Sequence, residues 1–577
     1  MRAARRLFNA IRKVAVAALR KRWFSILTHS FCEDTLPDIH PVKSTTTVRI
    51  CVPVGVRRAD DLPNALARAA KVADVIELRL DYLERDQLFG VLDELGRKQS
   101  SLIRPSVISQ PIVLTFRPLE QGGERAIDQT ERELVWRRVA EVLGFVPSSS
   151  APDVSVRDTS VVFADLELDA VVGRELQEVI TLRWGWDRTI CSHHDFSGVP
   201  ANLEELYELM ARAPAGILKI AVRANSVTDC IPVFRLLDRA RRENRALIAI
   251  AMGEAGVATR ILGPSRGSYL TYGALDDDGV TAPGQMLATE LRDLYRINSI
   301  TEQTQITGLV GLPVAHSVSP HMHNRAFAAC GIDAVYIPFE VRDMGDFVRR
   351  MVRPTTREIN WNLRGLSVTA PHKSAIMEHL DWISPEAKEI GAVNTIVIEG
   401  DALRGYNTDA AALLLPLQGV IDLRGARVAV IGAGGAARAA LYSLQHADAR
   451  VTVYARDIER ATQTAENFGA HCEQLDRAKL NEFDVVINAT PLGTRGQSEG
   501  GTPTTTAQMR GVRVAYDLVY NPQKTRFIRE AQAAGCKTIS GLAMLVAQAA
   551  AQFKLWSGRD APHEVMRQAA EKQMSGA

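Results

Sequence analysis

The most constraining feature of this sequence is a regular alternation of short apolar runs with longer mixed stretches across its first half. Eight runs occur in order, and they are VRICVPVGV, ADVIELRLDYL, PIVLTFRP, VVFADLEL, RTICSHHDF, GILKIAV, ALIAIAMG and GSYLTYG. The stretches between them suit helices in length and pattern. Because eight βα units within about 250 residues are typical of a (β/α)8 barrel, the alternation predicts that fold for this half.

The composition excludes several classes of protein. The chain has 577 residues, of which 46% are hydrophobic and 24% charged, and its formal net charge is +2. These values are ordinary for a globular protein, and the length is too great for one core. The net charge gives no reason to expect nucleic acid as a partner. The seven cysteines include no CxxC pair, so neither a disulfide framework nor a metal site is predicted. No apolar run approaches the roughly 18 residues that span a membrane, so no membrane association is expected.

The amino-terminal segment has its own charge pattern. Residues 1–32 contain eight Lys or Arg and no Asp or Glu. This composition is typical either of an organellar transit peptide or of a disordered basic extension. Residues 1–47 are therefore interpreted as an extension and linker. A cytoplasmic protein is expected, or one in an organelle such as a plastid if the segment is a transit peptide.

Charged side chains within the predicted strands are candidates for function, because active sites of this fold lie at the carboxyl ends of the strands. In the run VIELRLD, the residues Glu77, Arg79 and Asp81 alternate with apolar ones and would share the face that points into the barrel. An exposed antiparallel strand would give the same pattern. Arg117 ends another apolar run, where a surface arginine is the alternative.

A lysine and two histidines carry the most specific chemistry in this half. Lys219 stands inside the apolar run ILKIAV, where a lysine is rarely tolerated unless it is paired or functional. An unprotonated amine there could attack a carbonyl carbon. The alternative is a lysine without a catalytic role, on an edge strand, whose charged end extends to solvent. His194, in CSHHDF, is a candidate general acid and base. Its neighbour His193, on the opposite face, is equally plausible from the residues alone.

These motifs together resemble type I 3-dehydroquinate dehydratase over residues 48–297. The resemblance is carried, in order, by ELRLDYL, TFRP with the Gly pair after it, SHHDF, ILKIAV, MGEAGVATRILG and TAPGQ. It implies that Lys219 forms an imine with the substrate ketone. It also implies that His194 removes the C2 proton and helps to expel the C1 hydroxyl. Substrate binding is implied for a set of mainly charged residues, which are Glu77, Arg79, Arg117, Arg260, Thr281 and Gln285.

Two positions depart from that family. The family usually has an acid just before its Gly pair, where the acid supports the histidine. Here Gln121 stands in that place and Glu120 lies one residue earlier. A one-residue shift of the loop would restore the contact, so the sequence leaves open which of the two supports His194. Thr281 stands where serine is common and retains the hydroxyl.

A second set of motifs follows the polar segment 298–306, which is predicted to join two parts of the chain. Ser317 and Ser319 precede a proline. Two hydroxyls near a helix amino terminus suit an anionic ligand, although a simple N-cap is the stronger local explanation. Lys373 follows a strand in GLSVTAPHK, and Asp409 ends the turn GYNTD. Brought together, this pair could move a proton to or from an alcohol while hydride leaves its carbon.

The run VAVIGAGGAARAALYSL predicts a nucleotide-binding turn. It joins a strand, a glycine turn and an apolar helix, and a second strand, VTVYAR, comes about twenty residues later. The residues expected to face the cofactor are Gly432, Gly434, Gly435 and Ala436. After VTVYAR the chain offers Arg456 and Arg460, which favours the 2′-phosphate of NADP. Asp457 stands between them and could prefer ribose hydroxyls instead.

The second half resembles shikimate dehydrogenase over residues 303–577. The resemblance is carried, in order, by SVSPHMHN, VTAPHK, GAVNT, GYNTD, GAGGAAR, INATPLG, YDLVYNP and GLAMLVAQAAAQFKLWSG. It implies that Lys373 and Asp409 are the catalytic pair. Substrate contacts are implied for Ser317, Ser319, Thr369, Asn394 and Gln548. The residues Thr490, Tyr520 and Gly541 are implied to line the cleft that faces the nicotinamide. A substrate lobe over 303–411, completed by 541–577, and a nucleotide lobe over 412–540 are expected.

The sequence therefore predicts an α/β chain, with an amino-terminal (β/α)8 barrel followed by a two-lobed dehydrogenase. The second part has an α/β substrate lobe and a Rossmann lobe for NADP. This order resembles a bifunctional family best known from plants, with 3-dehydroquinate as substrate, 3-dehydroshikimate as intermediate and shikimate as product. The alternatives are a catabolic NAD-dependent quinate/shikimate dehydrogenase and a non-catalytic metabolite sensor. The paired arginines oppose the first, and the presence of all four catalytic candidates opposes the second. Oligomeric state stays open.

Overall fold

The computed structural model describes residues 48–97, 102, 108–143, 162–496 and 498–575, without the side chains of residues 174, 175 and 460. The basic amino-terminal segment lies outside the described residues. The described chain divides into two compact units. Unit 1 consists of residues 48–225 and 229–293, and unit 2 consists of residues 226–228 and 294–575.

The strands described in unit 1 form one parallel sheet. They are β1 (Ile50–Val54), β2 (Val75–Arg79), β3 (Ile112–Thr115), β4 (Val162–Glu167), β5 (Thr189–Asp195), β6 (Ile217–Arg223), β7 (Leu247–Met252) and β8 (Thr271–Tyr272). From β1 to β7, neighbours along the chain pair in parallel, and β8 pairs back onto β1. A parallel bridge from Leu247 to Ser268 joins β7 to the residues before β8 and completes the ring. The predicted (β/α)8 barrel is confirmed.

Helices cover the outside of this ring. They are α1 (Leu62–Ala69), α2 (Arg85–Leu95), α3 (Gln129–Leu143), α4 (Leu168–Val171), α5 (Arg174–Val179), α6 (Leu203–Ala211), α7 (Cys230–Arg242) and α8 (Val257–Leu262). In α7, Phe234 and Leu237 are buried at helical spacing, as an amphipathic helix requires. Its last turn carries Arg239, Arg241 and Arg242, where positive charge suits the carboxyl end of the helix dipole.

Side chains alternate between the helices and the barrel interior along each strand. One apolar cluster fills the interior, and it includes Val75, Val113, Ile190, Ile217 and Tyr272. Two residues further along the same strands, the inward positions carry polar groups, namely Glu77, Thr115, Ser192 and Lys219. The barrel therefore has an apolar interior on which a polar layer rests near the carboxyl ends of its strands.

Unit 2 contains two sheets in its described part. The first has the order β10-β9-β11-β13-β14-β12 and consists of β9 (Gln305–Gly311), β10 (Ala334–Glu340), β11 (Leu363–Val368), β12 (Trp382–Ile383), β13 (Thr395–Glu399) and β14 (Ala402–Tyr406). The second is parallel, with the order β17-β16-β15-β18-β19-β20. It consists of β15 (Arg427–Ile431), β16 (Arg450–Ala455), β17 (His471–Gln474), β18 (Val485–Asn488), β19 (Val514–Asp517) and β20 (Lys537–Ile539). This second sheet is Rossmann-like, as predicted.

The helices of unit 2 connect these strands. They are α9 (Ser319–Ala329), α10 (Met344–Phe347), α11 (Pro385–Ile390), α12 (Asp409–Gln418), α13 (Gly435–His446), α14 (Ile458–Glu466), α15 (Thr506–Met509), α16 (Arg526–Ala533), α17 (Gly541–Ser557) and α18 (His563–Ser575). The last two return to the first sheet, where they share an apolar cluster with α9 that includes the stacked rings of Phe327 and Phe553. Within the described ranges, no helix has the length and apolar character needed to cross a membrane.

Candidate active sites

The polar layer of the barrel forms one side of a pocket. Most of its polar lining comes from residues that the sequence singled out. The lining residues among these are Glu77, Arg79, Arg117, His194, Lys219, Arg260, Thr281 and Gln285. The carboxyl ends of the strands and the segments after them bring together residues separated by more than two hundred positions. All eight predicted dehydratase residues thus lie in one pocket.

Lys219 lies at the centre of the polar layer. It is 4% exposed, and its Nζ donates a hydrogen bond to Asp165 Oδ2 at 2.7 Å and another to the Tyr272 hydroxyl at 2.8 Å. Glu77 Oε1 lies 3.5 Å from the same nitrogen. A buried lysine needs such partners, because an isolated charge in the interior is costly. The amine is therefore held by three oxygens and faces the pocket.

Asp165 links Lys219 to Arg117. Arg117 Nη2 donates to Asp165 Oδ2 at 2.7 Å, and its Nε lies 3.5 Å from Glu167 Oε1. Burial alone would raise the pKa of Asp165, but the charges of Arg117 and Lys219 outweigh it and hold that pKa well below its usual value. Burial raises the pKa of Glu167 to about 7 despite the nearby arginine. The ionised Asp165 thus accepts hydrogen bonds from both Arg117 and Lys219 inside the barrel.

His194 faces the pocket with a neutral ring. Burial, together with the charges of Arg117 and Lys219, holds the pKa of His194 well below its usual value. Within the described part of the chain, its Nδ1 is buried without a hydrogen-bond partner. On β5, His194 stands opposite Ala221 of β6, which also lines the pocket, whereas His193 stands opposite Ile220. A neutral imidazole with a free ring nitrogen can accept a proton.

The loop that precedes the Gly pair places Gln121, and not Glu120, next to His194. Gln121 lines the pocket, and its Oε1 accepts a hydrogen bond from the backbone N–H of His194 at 3.3 Å. Glu120 is exposed. A turn that ends at Gly122, whose φ of +87° favours glycine, places the two side chains on different sides. The one-residue shift of the loop that the sequence allowed does not occur. The side chain that this loop places next to the backbone of His194 is therefore the amide of Gln121 and not the carboxylate of Glu120.

Two further arginines border the pocket. One is paired with a carboxylate, and the other has no carboxylate partner among the described residues. Arg79 is neutralised by Asp81, which accepts from its Nε at 3.0 Å and its Nη2 at 2.8 Å. Asp81 follows β2 in a short helical turn and does not line the pocket, so the expectation that it points into the barrel was wrong. Among the described residues, the hydrogen bonds of the Arg260 guanidinium are long ones to backbone carbonyls, to Tyr272 at 3.5 Å and to Pro283 at 3.3 Å. Burial lowers the pKa of Arg260 to about 10.

The segment after β8 contributes two residues to the pocket rim. Gln285 Oε1 accepts hydrogen bonds from the backbone N–H of Thr281 at 2.8 Å and from the Thr281 hydroxyl at 3.2 Å. The turn is thus held by its own side chains, and both residues remain half-buried at the pocket.

Sequence reasoning missed Asp165 and Tyr272, which both contact Lys219. A signal for Asp165 was present, because VVFADLEL alternates charged and apolar residues as VIELRLD does. Tyr272 left no such signal, since a tyrosine in an apolar run is normally part of the core.

In unit 2, Lys373 and Asp409 form a pair at the lobe boundary. Lys373 Nζ donates to Asp409 Oδ2 at 2.5 Å. The other carboxylate oxygen, Oδ1, accepts from Asn394 Nδ2 at 2.8 Å. Asn394 also donates to Thr408 Oγ1 at 2.9 Å and accepts from the Thr408 backbone N–H at 2.8 Å. The carboxylate is therefore fixed by Asn394 and presents its second oxygen to the lysine.

The hydroxyls at the start of α9 lie beside tyrosines. Ser317 is close to Tyr520, and Ser319 is close to Tyr336. Tyr336 donates to Ser367 Oγ at 2.8 Å, and Ser367 donates to Gln552 Oε1 at 2.7 Å.

The buried amide of Gln552 also donates to the Asn394 carbonyl at 3.2 Å and so connects the serine region with the Lys373–Asp409 pair. Sequence reasoning missed Gln552, although it follows Gln548 by one helical turn. Gln548 is half-buried and donates to the Leu545 carbonyl at 2.9 Å. Thr369 is half-buried immediately after β11, against Gly311.

The glycine turn after β15 approaches the lysine pair. Gly432 has a φ of +118°, and a Cβ there would lie 3.0 Å from the Ala489 carbonyl oxygen and 3.2 Å from Thr490. The space beside Gly434 is open within 4 Å of a Cβ position among the described residues. A Cβ on Gly435 would lie 3.2 Å from Lys373 Cδ. The turn and the start of α13, with Ala436, therefore lie next to Lys373, and a glycine turn of this kind suits the pyrophosphate of a dinucleotide.

Two more of the predicted residues are Thr490, which lies next to Gly432, and Gly541. Thr490 donates to Asn488 Oδ1 at 2.6 Å, and Asn488 is held in turn by Asp517 at 2.9 Å. Gly541 begins α17, and a Cβ there would lie 2.5 Å from the Leu518 carbonyl oxygen, so that only glycine allows this approach.

The residues after β16 bear on cofactor choice. Arg456 follows the strand directly and is exposed, and its carbonyl accepts from Gln474 Nε2 at 3.1 Å. Asp457 is also exposed. Arg460 lies in α14, but its side chain is outside the described part of the structure. The geometry thus leaves Arg456 accessible to a ligand.

Four family models match the chain in succession. The description "Type I 3-dehydroquinase" covers residues 50–302, and "Shikimate dehydrogenase substrate binding domain" covers residues 309–396. "Shikimate / quinate 5-dehydrogenase" covers residues 416–495, and "Shikimate 5'-dehydrogenase C-terminal domain" covers residues 541–571. Both resemblances drawn from the sequence motifs are confirmed.

Several curated relatives and solved structures are similar to the chain. A bifunctional 3-dehydroquinate dehydratase/shikimate dehydrogenase of Arabidopsis thaliana, described as chloroplastic, is 32% identical over 546 residues, which are 91% of this chain and 84% of the relative. A shikimate dehydrogenase (NADP(+)) of Methanothermobacter thermautotrophicus is 36% identical over 284 residues, covering 47% of this chain and 98% of the relative. A crystal structure of shikimate 5-dehydrogenase from Thermus thermophilus with NADP(H) and shikimate is 37% identical, with a TM-score of 0.42, over 47% of this chain and 99% of that chain.

Proposed function

The chain belongs to the family of bifunctional 3-dehydroquinate dehydratase/shikimate dehydrogenases, and on that premise we propose the roles of its residues in two consecutive reactions. Unit 1 dehydrates 3-dehydroquinate to 3-dehydroshikimate, and unit 2 reduces that product to shikimate in the pathway to chorismate and the aromatic amino acids. One observation carries the proposal: each unit holds a lysine against a carboxylate beside a pocket or cleft. The distances are 2.7 Å for Lys219 to Asp165 and 2.5 Å for Lys373 to Asp409.

In unit 1, Lys219 is the nucleophile and His194 the general acid and base. The unprotonated amine attacks the ketone carbon of 3-dehydroquinate, and water leaves to give an imine. His194, whose ring is neutral, accepts the C2 proton as the imine takes up the electrons. The resulting imidazolium then gives its proton to the departing C1 hydroxyl, so His194 ends the cycle in its starting state.

Arg260 is the proposed partner of the substrate carboxylate. The guanidinium is buried and lacks a carboxylate partner in the described part of the barrel, so an anion would satisfy it. Arg79 and Arg117 already have carboxylates within the barrel, so their remaining N–H groups suit hydroxyls. Glu77, Thr281 and Gln285 complete the binding surface as acceptors and donors.

In unit 2, Lys373 and Asp409 transfer the proton of the reduction. The product hydroxyl receives a proton from Lys373, while Asp409 keeps the ammonium group oriented. Asn394 fixes Asp409. Ser317 and Ser319 lie beside tyrosine hydroxyls and supply donors for the substrate carboxylate. Thr369, Tyr520 and Gln548 are the further proposed substrate contacts.

The cofactor of unit 2 is NADP, as the names of its dehydrogenase relatives state for those proteins. When bound, the reduced cofactor supplies a hydride to the carbonyl carbon. The backbone at Gly432, Gly434 and Gly435 allows close approach of the pyrophosphate, next to Ala436 at the start of α13. Thr490 and Gly541 border the nicotinamide side. Arg456 and Arg460 are the proposed contacts of the 2′-phosphate.

A coupled assay tests both reactions at once. The purified full chain is mixed with 3-dehydroquinate and either NADPH or NADH, and shikimate formation is followed together with cofactor oxidation. We expect shikimate to accumulate with one NADPH oxidised per molecule formed. Accumulation of 3-dehydroshikimate without shikimate would contradict the role of unit 2, and unchanged 3-dehydroquinate would contradict that of unit 1.

We further propose functional boundaries at residues 48–297 for the dehydratase, 303–411 with 541–577 for the substrate lobe, and 412–540 for the NADP lobe. The apolar cluster shared by α9, α17 and α18 supports the return of the carboxyl terminus to the substrate lobe.

For the location of the protein we propose the cytoplasm, with a plastid as the alternative, since the Arabidopsis relative is described as chloroplastic. Residues 1–47 fused to a fluorescent protein test this point, because import of the fusion would establish a transit peptide.

A further inference from the structure

The hydroxyl of Tyr272 contacts Nζ of Lys219, which is the reactive atom of that side chain. Its oxygen accepts a hydrogen bond from Nζ at 2.8 Å, while Asp165 Oδ2 accepts another at 2.7 Å. The centroid of the tyrosine ring lies 4.4 Å from the same nitrogen. Tyr272 is 6% exposed and lines the pocket. The hydroxyl therefore touches the atom that would form the imine.

The short strand β8 aims this hydroxyl into the barrel. Thr271 faces the helices, where its Oγ1 donates to the Arg260 carbonyl at 3.0 Å, so the next residue must face the interior. Tyr272 stands opposite Cys51 of β1. Burial raises the pKa of Tyr272 well above its usual value. The phenol thus keeps its proton, and its oxygen remains an acceptor for Lys219.

The two acceptors restrict the direction of the lone pair on the amine. A neutral amine has two N–H bonds and one lone pair, arranged tetrahedrally with its carbon. If Asp165 and Tyr272 accept the two N–H bonds, the lone pair occupies the remaining direction. The next acceptor, Glu77 Oε1, is 3.5 Å from Nζ and already accepts from Thr115 at 2.8 Å, so it competes weakly for that direction.

We propose that the Tyr272 hydroxyl is a catalytic group of imine formation, which fixes the Lys219 amine so that its lone pair faces the substrate ketone. The proposal rests on the proposed function of Lys219. In this step the lone pair forms the C–N bond, and the carbonyl π electrons move to oxygen. The two protons of the neutral amine move to that oxygen and leave with it as water when the C–O bond breaks. The nitrogen then forms the C=N bond of the imine, so no further reactant is needed.

The test is Tyr272→Phe in the full chain, which removes the hydroxyl and keeps the ring. In single-turnover experiments, enzyme is mixed with 3-dehydroquinate and quenched with borohydride at successive times, and the reduced adduct on Lys219 is measured by mass spectrometry. We expect the rate of adduct formation and kcat to fall about 10- to 100-fold, as for loss of one hydrogen bond to a charged or reacting group. KM should change by less than about threefold, because the hydroxyl acts on the lysine.

Tyr207→Phe is a matched control. Its hydroxyl is also in unit 1 and donates to Glu243 Oε2 at 2.6 Å, but it does not line the pocket. This variant should form the adduct at the wild-type rate. In both variants the amplitude of the adduct reports the folded fraction and its rate reports the chemical step, so partial misfolding changes only the amplitude.

Two outcomes separate this proposal from the one on which it rests. Adduct formation at the wild-type rate in Tyr272→Phe would overturn the role of the hydroxyl and leave Lys219 as the nucleophile. Absence of an adduct on Lys219 in the wild-type chain would overturn the proposed function itself.

Discussion

The unfolding free energy of unit 1 should depend on pH through the buried carboxyl of Glu167. Replacement of Glu167 by glutamine should remove this dependence. Glu167 is fully buried at the carboxyl end of β4, and its carboxylate oxygens lie 3.5 Å from both Arg117 and Arg132. Burial raises the pKa of this carboxyl to about 7, because the two guanidiniums offset the loss of solvation only in part. Its ordinary value is 4.5. The folded unit therefore retains a proton that the unfolded chain has released.

The size and sign of the effect follow from this difference. A pKa of about 7 in the folded state against 4.5 in the unfolded state corresponds to about 3 kcal/mol of unfolding free energy. Because the pKa is raised, this stabilisation is fully present below pH 4.5 and is lost as the pH rises through about 7. Glu167→Gln resembles the protonated side chain at every pH. The variant should match the wild type near pH ~4 and exceed its stability by up to about 3 kcal/mol near pH ~8.

Pulse proteolysis in urea can measure this in the full chain. Peptides from β4 and its neighbours report the unfolding midpoint of unit 1 at each pH, and peptides from unit 2 serve as an internal reference. Asp169→Asn is the matched control, because Asp169 also pairs with Arg132, at 2.6 Å, but its side chain is 22% exposed. An equal pH dependence in the wild type and Glu167→Gln would refute the reasoning. A destabilised variant at pH ~8 would mean that the ion pairs with the arginines outweigh burial.

The remaining predictions concern the two reactions. His194→Ala should slow dehydration by about 10²–10⁴-fold, as for loss of a general acid–base group, and His193→Ala should have little effect in the same steady-state assay. The reverse result would exchange their roles. Lys219→Met should abolish dehydration and leave NADP-dependent oxidation of shikimate near the wild-type rate. Lys373→Ala should abolish the oxidation of shikimate and leave dehydration near the wild-type rate. Loss of both activities in one folded variant would contradict the independence of the two sites. Arg456→Ala should raise KM for NADPH about 10- to 100-fold. An equal change for NADH would contradict a contact with the 2′-phosphate.

The barrel could be predicted because its strands are buried on both faces. Each therefore appears as a nearly continuous apolar run, and all eight runs correspond to strands of the ring. Period-two alternation within those runs also identified inward-facing charges such as Glu77 and Arg79. The same rule would have found Asp165 and Glu167, whose charges alternate along β4. Asp81 was misplaced because the strand ends at Arg79, and alternation loses its meaning once the chain turns.

Gln121 and Tyr272 show where prediction from the sequence stops. The choice between Gln121 and Glu120 depends on the turn that ends at Gly122, and on Gly123, where a Cβ would lie only 1.8 Å from the Arg117 carbonyl oxygen. A motif fixes the order of residues in such a loop but not the side toward which each one points. Tyr272 belongs to a strand of two residues, and its hydroxyl acquires a role only because β6 brings Lys219 to within 2.8 Å of it. That distance depends on the closure of the ring, since β7 lies between β6 and β8 along the chain and Lys219 and Tyr272 meet inside the barrel. The groups that orient the nucleophile are thus a property of the closed barrel, whereas the nucleophile itself is visible in one strand.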